Sequence, residues 1–201
     1  MRKLTITWML AIGGCIHTPV WASTAAFKAD SVAEHVIGDC QFRMKNIESG
    51  DFAGNSSTKF GGYSVGNDSD SKFWAVHMVC ETLHPEVLAE RANIKKMNGR
   101  WEIEDRGQPF PEGLRVRLYV LKGTNWDGAG TTLDQTDGEE NRRTRGLAFC
   151  LVHETKALCG SSDVMYLTHP KSSVLNKVLK LLNSIEFIDG PPYNKTGTVT
   201  R

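Results

Sequence analysis

Between positions 147 and 189 the spacing of apolar residues changes from strand-like to helical and back. Residues 147–153 and 156–167 are rich in leucine, valine and aromatic side chains, the composition of paired strands. Glu154-Thr155 between them is short enough for a two-residue turn. His153 and Lys156 then form the hydrogen-bonded pair next to the turn, and Cys150 stands opposite Cys159 at a non-hydrogen-bonded position, where side chains approach most closely. That register suits a cross-strand disulfide. Glu-Thr is not a favoured two-residue turn, so a longer loop stays open. Thr168-His169-Pro170 reads as a helix start with Pro in the first turn. Val174, Val178, Leu181, Leu182 and Ile185 recur at helical spacing, so this helix buries one face. Residues 185–188 form a short closing strand before Gly190-Pro191-Pro192.

Earlier in the chain the pattern is less regular. Residues 31–50 hold Val32, Val36, Ile37, Phe42 and Ile47 with no clean period. Segments 51–58 and 66–71 are rich in Gly, Asn, Asp and Ser and read as loops around a strand at 59–65. Residues 73–83 are apolar on both faces, which predicts a central strand with His77 hydrogen-bonded in the core. His84-Pro85-Glu86 starts a helix, with His84 as its cap, that runs to about Met97 and stops at Asn98-Gly99. Residues 100–105 and 114–121 are strands. In the second, Leu114, Val116, Leu118 and Val120 form the buried face, and Arg115, Arg117, Tyr119 and Leu121 the other. Residues 122–146 read as one long loop.

The leader changes the picture more than the bulk composition does. Arg2 and Lys3 precede an apolar stretch at 4–16, and Val20-Trp21-Ala22 suits cleavage after Ala22, so residues 1–22 read as a signal peptide. Ile12-Gly13-Gly14-Cys15 also resembles a bacterial lipobox, in which Cys15 is lipidated and anchors the chain to the envelope. Residues 23–190 are then one exported domain and 191–201 a flexible tail. Taking Arg2 and Lys3 from the 24 basic residues leaves 22 against 23 acidic, which argues against a nucleic-acid binder. Without Cys15, four cysteines remain: Cys40, Cys80, Cys150 and Cys159. An even count in an exported chain reads as two disulfides. Of the three connectivities we select 150–159 with 40–80. The localisation that follows is periplasmic or secreted, with attachment to a membrane only through Cys15.

Candidate chemistry is sparse. No two histidines stand at metal-binding spacing, no C-x-x-C occurs, and neither a Walker loop nor G-x-G-x-x-G is present, so no metal and no cofactor are expected. The run from Asp134 to Glu139 lacks EF-hand spacing. No G-x-S-x-G occurs. Ser161 and Ser162 have no identifiable base, and His153-Glu154 would need a third group to act in acid–base chemistry. No catalytic residue is assigned. The long loop at 122–146 is the best contact candidate. Trp126 sits among polar residues, where an exposed aromatic could anchor a partner. Asp134, Asp137, Glu139 and Glu140 precede Arg142, Arg143 and Arg145, an order that could present two charged patches. The plainer reading is a solvated loop with self-neutralising charges and a tucked-in tryptophan.

The cystine-bearing hairpin, the amphipathic helix and the closing Asn183-Ser184-Ile185-Glu186-Phe187 resemble the last units of Mog1/PsbP-like α/β proteins. The resemblance covers about a quarter of the chain. It implies an antiparallel sheet flanked by helices and a family whose members mostly bind partners, and it carries over no catalytic residue. The two disulfides and the loop at 122–146 are not part of that pattern. The expectation is therefore an α+β fold: one domain, a mostly antiparallel sheet with flanking helices, stapled by two disulfides. The expected function is non-enzymatic binding of a protein partner in the envelope, with an immunity protein that neutralises a secreted toxin as a narrower version. The alternatives are a small periplasmic hydrolase and an envelope lipoprotein.

Overall fold

A computed structural model describes residues 31–67 and 72–190. The leader with Cys15 and the tail at 191–201 lie outside the described residues. The chain opens with a hairpin of β1 (Val32–Ile37) and β2 (Cys40–Lys45), then β3 (Asp51–Ala53), β4 (Phe60–Val65) and β5 (Trp74–Thr82). Helix α1 (Pro85–Ala92) precedes a second hairpin, β6 (Ile94–Met97) and β7 (Arg100–Ile103). Then come β8 (Arg117–Lys122), β9 (Asp127–Asp134), β10 (Thr144–His153), β11 (Lys156–Tyr166), helix α2 (Leu175–Asn183) and β12 (Glu186–Phe187). Seven strands form one antiparallel sheet in the order β3-β4-β5-β11-β10-β9-β8, and β1-β2-β12 form a small second sheet. This is the α+β architecture expected, with both disulfides, Cys40–Cys80 and Cys150–Cys159, as paired above.

The core lies on both faces of the main sheet because its central strands are apolar on both sides. On one face Trp74, Val76, Met78, Phe149, Leu151 and Leu158 pack against Phe42 and Met44 of the small sheet and Val178, Leu181 and Leu182 of α2. On the other, Val79, Ala129, Cys150 and Cys159 pack against Leu88 and Ala92 of α1 and Ile94 and Trp101 of the β6–β7 hairpin. The β10–β11 register is the one the turn length predicts: His153 opposite Lys156 and Cys150 opposite Cys159, with Cα atoms 4.0 Å apart. Buried Tyr63 ties the segment after β2 to β4. Its hydroxyl accepts from the Ile47 N–H (2.8 Å) and the Gly50 N–H (3.1 Å) and donates to Asn46 Oδ1 (2.7 Å). Tyr63→Phe strips the Ile47 N–H of its acceptor, so denaturant unfolding should show a loss of about 1–3 kcal/mol.

Four local expectations are corrected. First, α1 ends at Ala92, capped by left-handed Asn93, and the expected cap His84 makes no side-chain cap bond. Asn98-Gly99 is not a helix stop but the turn between β6 and β7, with φ of 50° and 78°. Both residues have the positive φ that a tight hairpin turn needs. Second, residues 122–146 are not one loop: β9 runs through them as an inner strand. Its Gly128 and Gly130 are required because a Cβ there would meet the Cys150 carbonyl at 2.2 Å and the Ala148 carbonyl at 2.6 Å. Third, β8 buries Leu121 and packs Tyr119 against the main core, whereas Val120 is exposed. Fourth, α2 begins at Leu175, after a separate 3-10 turn at Pro170–Ser172.

Candidate binding groove

β5 and β11 pair from Thr82↔Lys156 only as far as His77↔Ser161 and then part. Beyond that point β5 stays with β4, to Trp74↔Val65, and β11 stays with β10, to Tyr166↔Thr144. The register of β10 against β11 slips between Arg145 and Gly146, an irregularity of the kind that bends a strand pair. The chain around Pro170–Ser172 closes the base of the gap, where the Val174 N–H donates to the Val164 carbonyl (2.8 Å). A groove of about 680 Å³ results.

Side-chain size explains its depth. α1 and the β6–β7 hairpin cover the sheet only around Val79, Cys150 and Cys159. Further along the same face the strands carry Ala75, Gly146, Ala148 and Ser161, all lining the groove. Phe73 and Tyr166 also line it and stay 37% and 54% exposed. Ser162, on the groove's inner side, is buried, and its Oγ has no hydrogen-bond partner among the described residues. A buried hydroxyl left unpaired is costly and calls for a reason.

The charges along the groove are mixed, with a cationic surplus. Lys72, Lys171 and Lys177 line it against Asp163. Asp163 Oδ1 accepts from Thr144 Oγ1 (3.0 Å). Lys177 pairs with Glu48 (2.8 Å), which also accepts from Trp74 Nε1 (3.3 Å). Among the described residues no ion pair engages Lys171. The hydrogen bond from Lys177 holds the Glu48 carboxyl below its usual range; burial opposes this and the Trp74 bond adds to it. A lowered folded-state pKa stabilises above the unfolded value and loses that contribution as pH falls through the folded one. A carboxyl-selective NMR titration should place Glu48 below a free glutamate, and Lys177→Met should move it back up.

The residues expected to make contacts separate into two groups. Trp126 is 5% exposed, and its Nε1 donates to the Ile185 carbonyl (2.6 Å). The exposed aromatic anchor expected from its polar neighbours is therefore corrected: the indole belongs to the core. Asp134 is 3% exposed and is gripped by Arg145 through two hydrogen bonds, one of 2.8 Å, with Arg115 at 3.9 Å. Burial on β9 takes Asp134 off the surface, while its partner Arg145 on β10 stays partly exposed. Asp137, Glu139 and Arg142 are exposed, and Arg142 pairs with Glu139 at 3.1 Å. Acids and bases thus neutralise one another locally instead of forming two patches. Arg143 differs: its guanidinium donates to the Gly138 carbonyl (3.1 Å), and its own carbonyl accepts from the Leu167 N–H (2.9 Å) beside Tyr166. That places the Arg143 backbone near the Tyr166 end of the groove, with its side chain turned to Gly138 and not lining the groove.

The sequence reading missed the groove residues themselves. His77 is exposed and stands opposite Ser161, not hydrogen-bonded in the core. It lies on the same face as Ala75 and Val79, beyond the stretch around Val79 that α1 buries. Its place in the alternation was the available signal. Ser161, His77 and Asp163 share this face, yet no hydrogen bond joins Ser161 to His77 among the described residues, and Asp163 is engaged by Thr144. A nucleophile needs its base within hydrogen-bond reach and held by a third group. What the groove offers is contact chemistry: a small-residue hollow, two aromatic edges and cations at the rim. No known protein family's model matches this sequence, and no curated protein matches it either.

Proposed function

We propose that this is an exported, non-enzymatic binding protein that engages a protein partner in the bacterial envelope through the groove between β5 and β11. The observation that carries the reading is the parting of those strands into a hollow edged by Phe73 and Tyr166. Aromatic anchors around a desolvated pocket are where binding energy concentrates. Lys171 at the rim favours an acidic segment of the partner, with an apolar side chain entering over Ala75, Gly146 and Ala148. The resemblance of the last quarter of the chain to Mog1/PsbP-like proteins supports partner binding as well. An immunity protein that occupies a toxin delivered into the periplasm is the narrower form of this proposal. Its support is the leader, the two cystines and the lack of an assigned catalytic group. Among the described residues no helix is long and apolar enough to cross a membrane. The envelope-lipoprotein alternative rests on Cys15 alone and is tested by membrane release of Cys15→Ser.

The experiment is affinity capture with oxidised residues 23–201 as bait, from the producing cells' own envelope and from competitor strains. The wild-type chain should hold one dominant protein. The Lys171→Glu variant should weaken capture at least about tenfold, since like charges facing each other cost several kcal/mol. Capture unchanged by the reversal would remove the groove from the interface. The hydrolase alternative makes the opposite prediction: activity on an acyl or ester substrate, lost in Ser161→Ala.

A further inference from the structure

At the far end of β10, His153, Glu154 and Asp189 converge from two parts of the chain, with one potential ligand atom from each lying within 4.8 Å of the others. We propose that they form a binding site for a divalent transition cation of the zinc type. The imidazole is fixed before any cation arrives. Its Nδ1 lies 2.7 Å from the Asn125 carbonyl, which can only accept, so Nδ1 carries a proton and Nε2 is the nitrogen aimed at Asp189, 2.7 Å from Oδ1. The ring stacks on Phe187, with centroids 5.0 Å apart and planes 14° from parallel. Asn125 is itself clamped: its Nδ2 donates to the Phe187 carbonyl (2.8 Å), and its Oδ1 accepts from the Phe187 N–H (3.1 Å). An imidazole whose far N–H is given to a backbone carbonyl is the arrangement that orients histidine ligands in metal sites.

The carboxylates are placed by the fold as well. Glu154 is at the β10–β11 turn with φ of 50°. Asp189 follows Ile188, whose N–H donates to the Gln41 carbonyl (2.9 Å) and carries the chain on beside β2. One imidazole and two carboxylates suit zinc better than calcium, which prefers oxygen alone. Glu154 and Asp189 are exposed, so water can complete the coordination. On binding, Nε2 exchanges its hydrogen bond to Asp189 for the metal, and any proton it carries leaves to solvent.

The test is isothermal titration of oxidised residues 23–201 with zinc chloride in chelator-free buffer, followed by nitrogen-resolved NMR of the histidine rings. The site predicts uptake of zinc with His153 Nε2 as the ligated nitrogen and Nδ1 still protonated. His153→Ala should abolish this uptake, and Glu154→Gln, an exposed turn position that leaves the fold intact, should weaken it about tenfold or more. No uptake, uptake unchanged in Glu154→Gln, or shifts confined to other histidines would overturn the proposal and leave an imidazole–carboxylate hydrogen bond only.

Discussion

Asp134→Ala should destabilise the protein by about 2–3 kcal/mol, because it leaves the partly buried Arg145 guanidinium without the carboxylate that holds it. Asp134 sits on the inner face of β9, and Arg145 on the neighbouring strand opposes it directly in the register. The guanidinium meets the carboxylate in a two-point geometry, and the Asp134 hydrogen bond raises the Arg145 pKa against the opposing effect of burial. Removing one partner of such a pair costs more than the pair itself contributes, because the remaining charge, only 15% exposed, is incompletely solvated. Arg145→Met should be milder, since the methylene stem is kept and the orphaned carboxylate can turn toward Arg115. Urea unfolding of both variants checks the ordering. A loss below about 1 kcal/mol for Asp134→Ala would mean that water reaches the pair and that it belongs to the surface after all.

The second large effect is expected from Cys40 and Cys80. This cystine ties the small β1-β2-β12 sheet to the C-terminal part of β5 and closes a loop across 40 positions. On the loop-entropy argument its removal releases roughly 4 kcal/mol of constraint on the unfolded chain, against roughly 3 kcal/mol for the short Cys150–Cys159 bridge. For a domain of this size the Cys40→Ala, Cys80→Ala variant should melt roughly 8–16 °C lower. The Cys150→Ala, Cys159→Ala variant should fall less, since ten register pairs already hold β10 to β11. If the two double variants melt together, the difference in loop length is not what separates the bridges.

What was legible in the chain followed from periodicity and short-range geometry. The β10–β11 register could be read because a two-residue turn leaves no freedom in counting outward to Cys150 and Cys159. β5 could be read as central because it is apolar on both sides. β9 was hidden because close strand approach at Gly128 and Gly130 demands the residues that usually mark loops. Trp126 and Asp134 looked exposed for the same reason: their neighbours in sequence are polar, but their neighbours in space are Ile185 and Arg145. Asn98-Gly99 terminates a helix and turns a hairpin equally well, and only the pairing of Ile94 with Ile103 decides between them. The groove has no local signature at all. It arises where two strands stop pairing, and Phe73, Gly146, Ser161, Tyr166 and Lys171 are spread along the chain.

Partner binding in the hollow between β5 and β11 is most directly tested at Gly146. A Cβ added there would meet nothing closer than Asp163 Oδ1 at 3.9 Å, so Gly146→Leu should fold and melt like the wild type while its side chain fills the floor. Paired capture with wild-type and Gly146→Leu bait, quantified by mass spectrometry, should show one dominant protein held by the first and lost from the second. Equal capture by two equally stable baits would contradict the account and move the interface elsewhere on the surface.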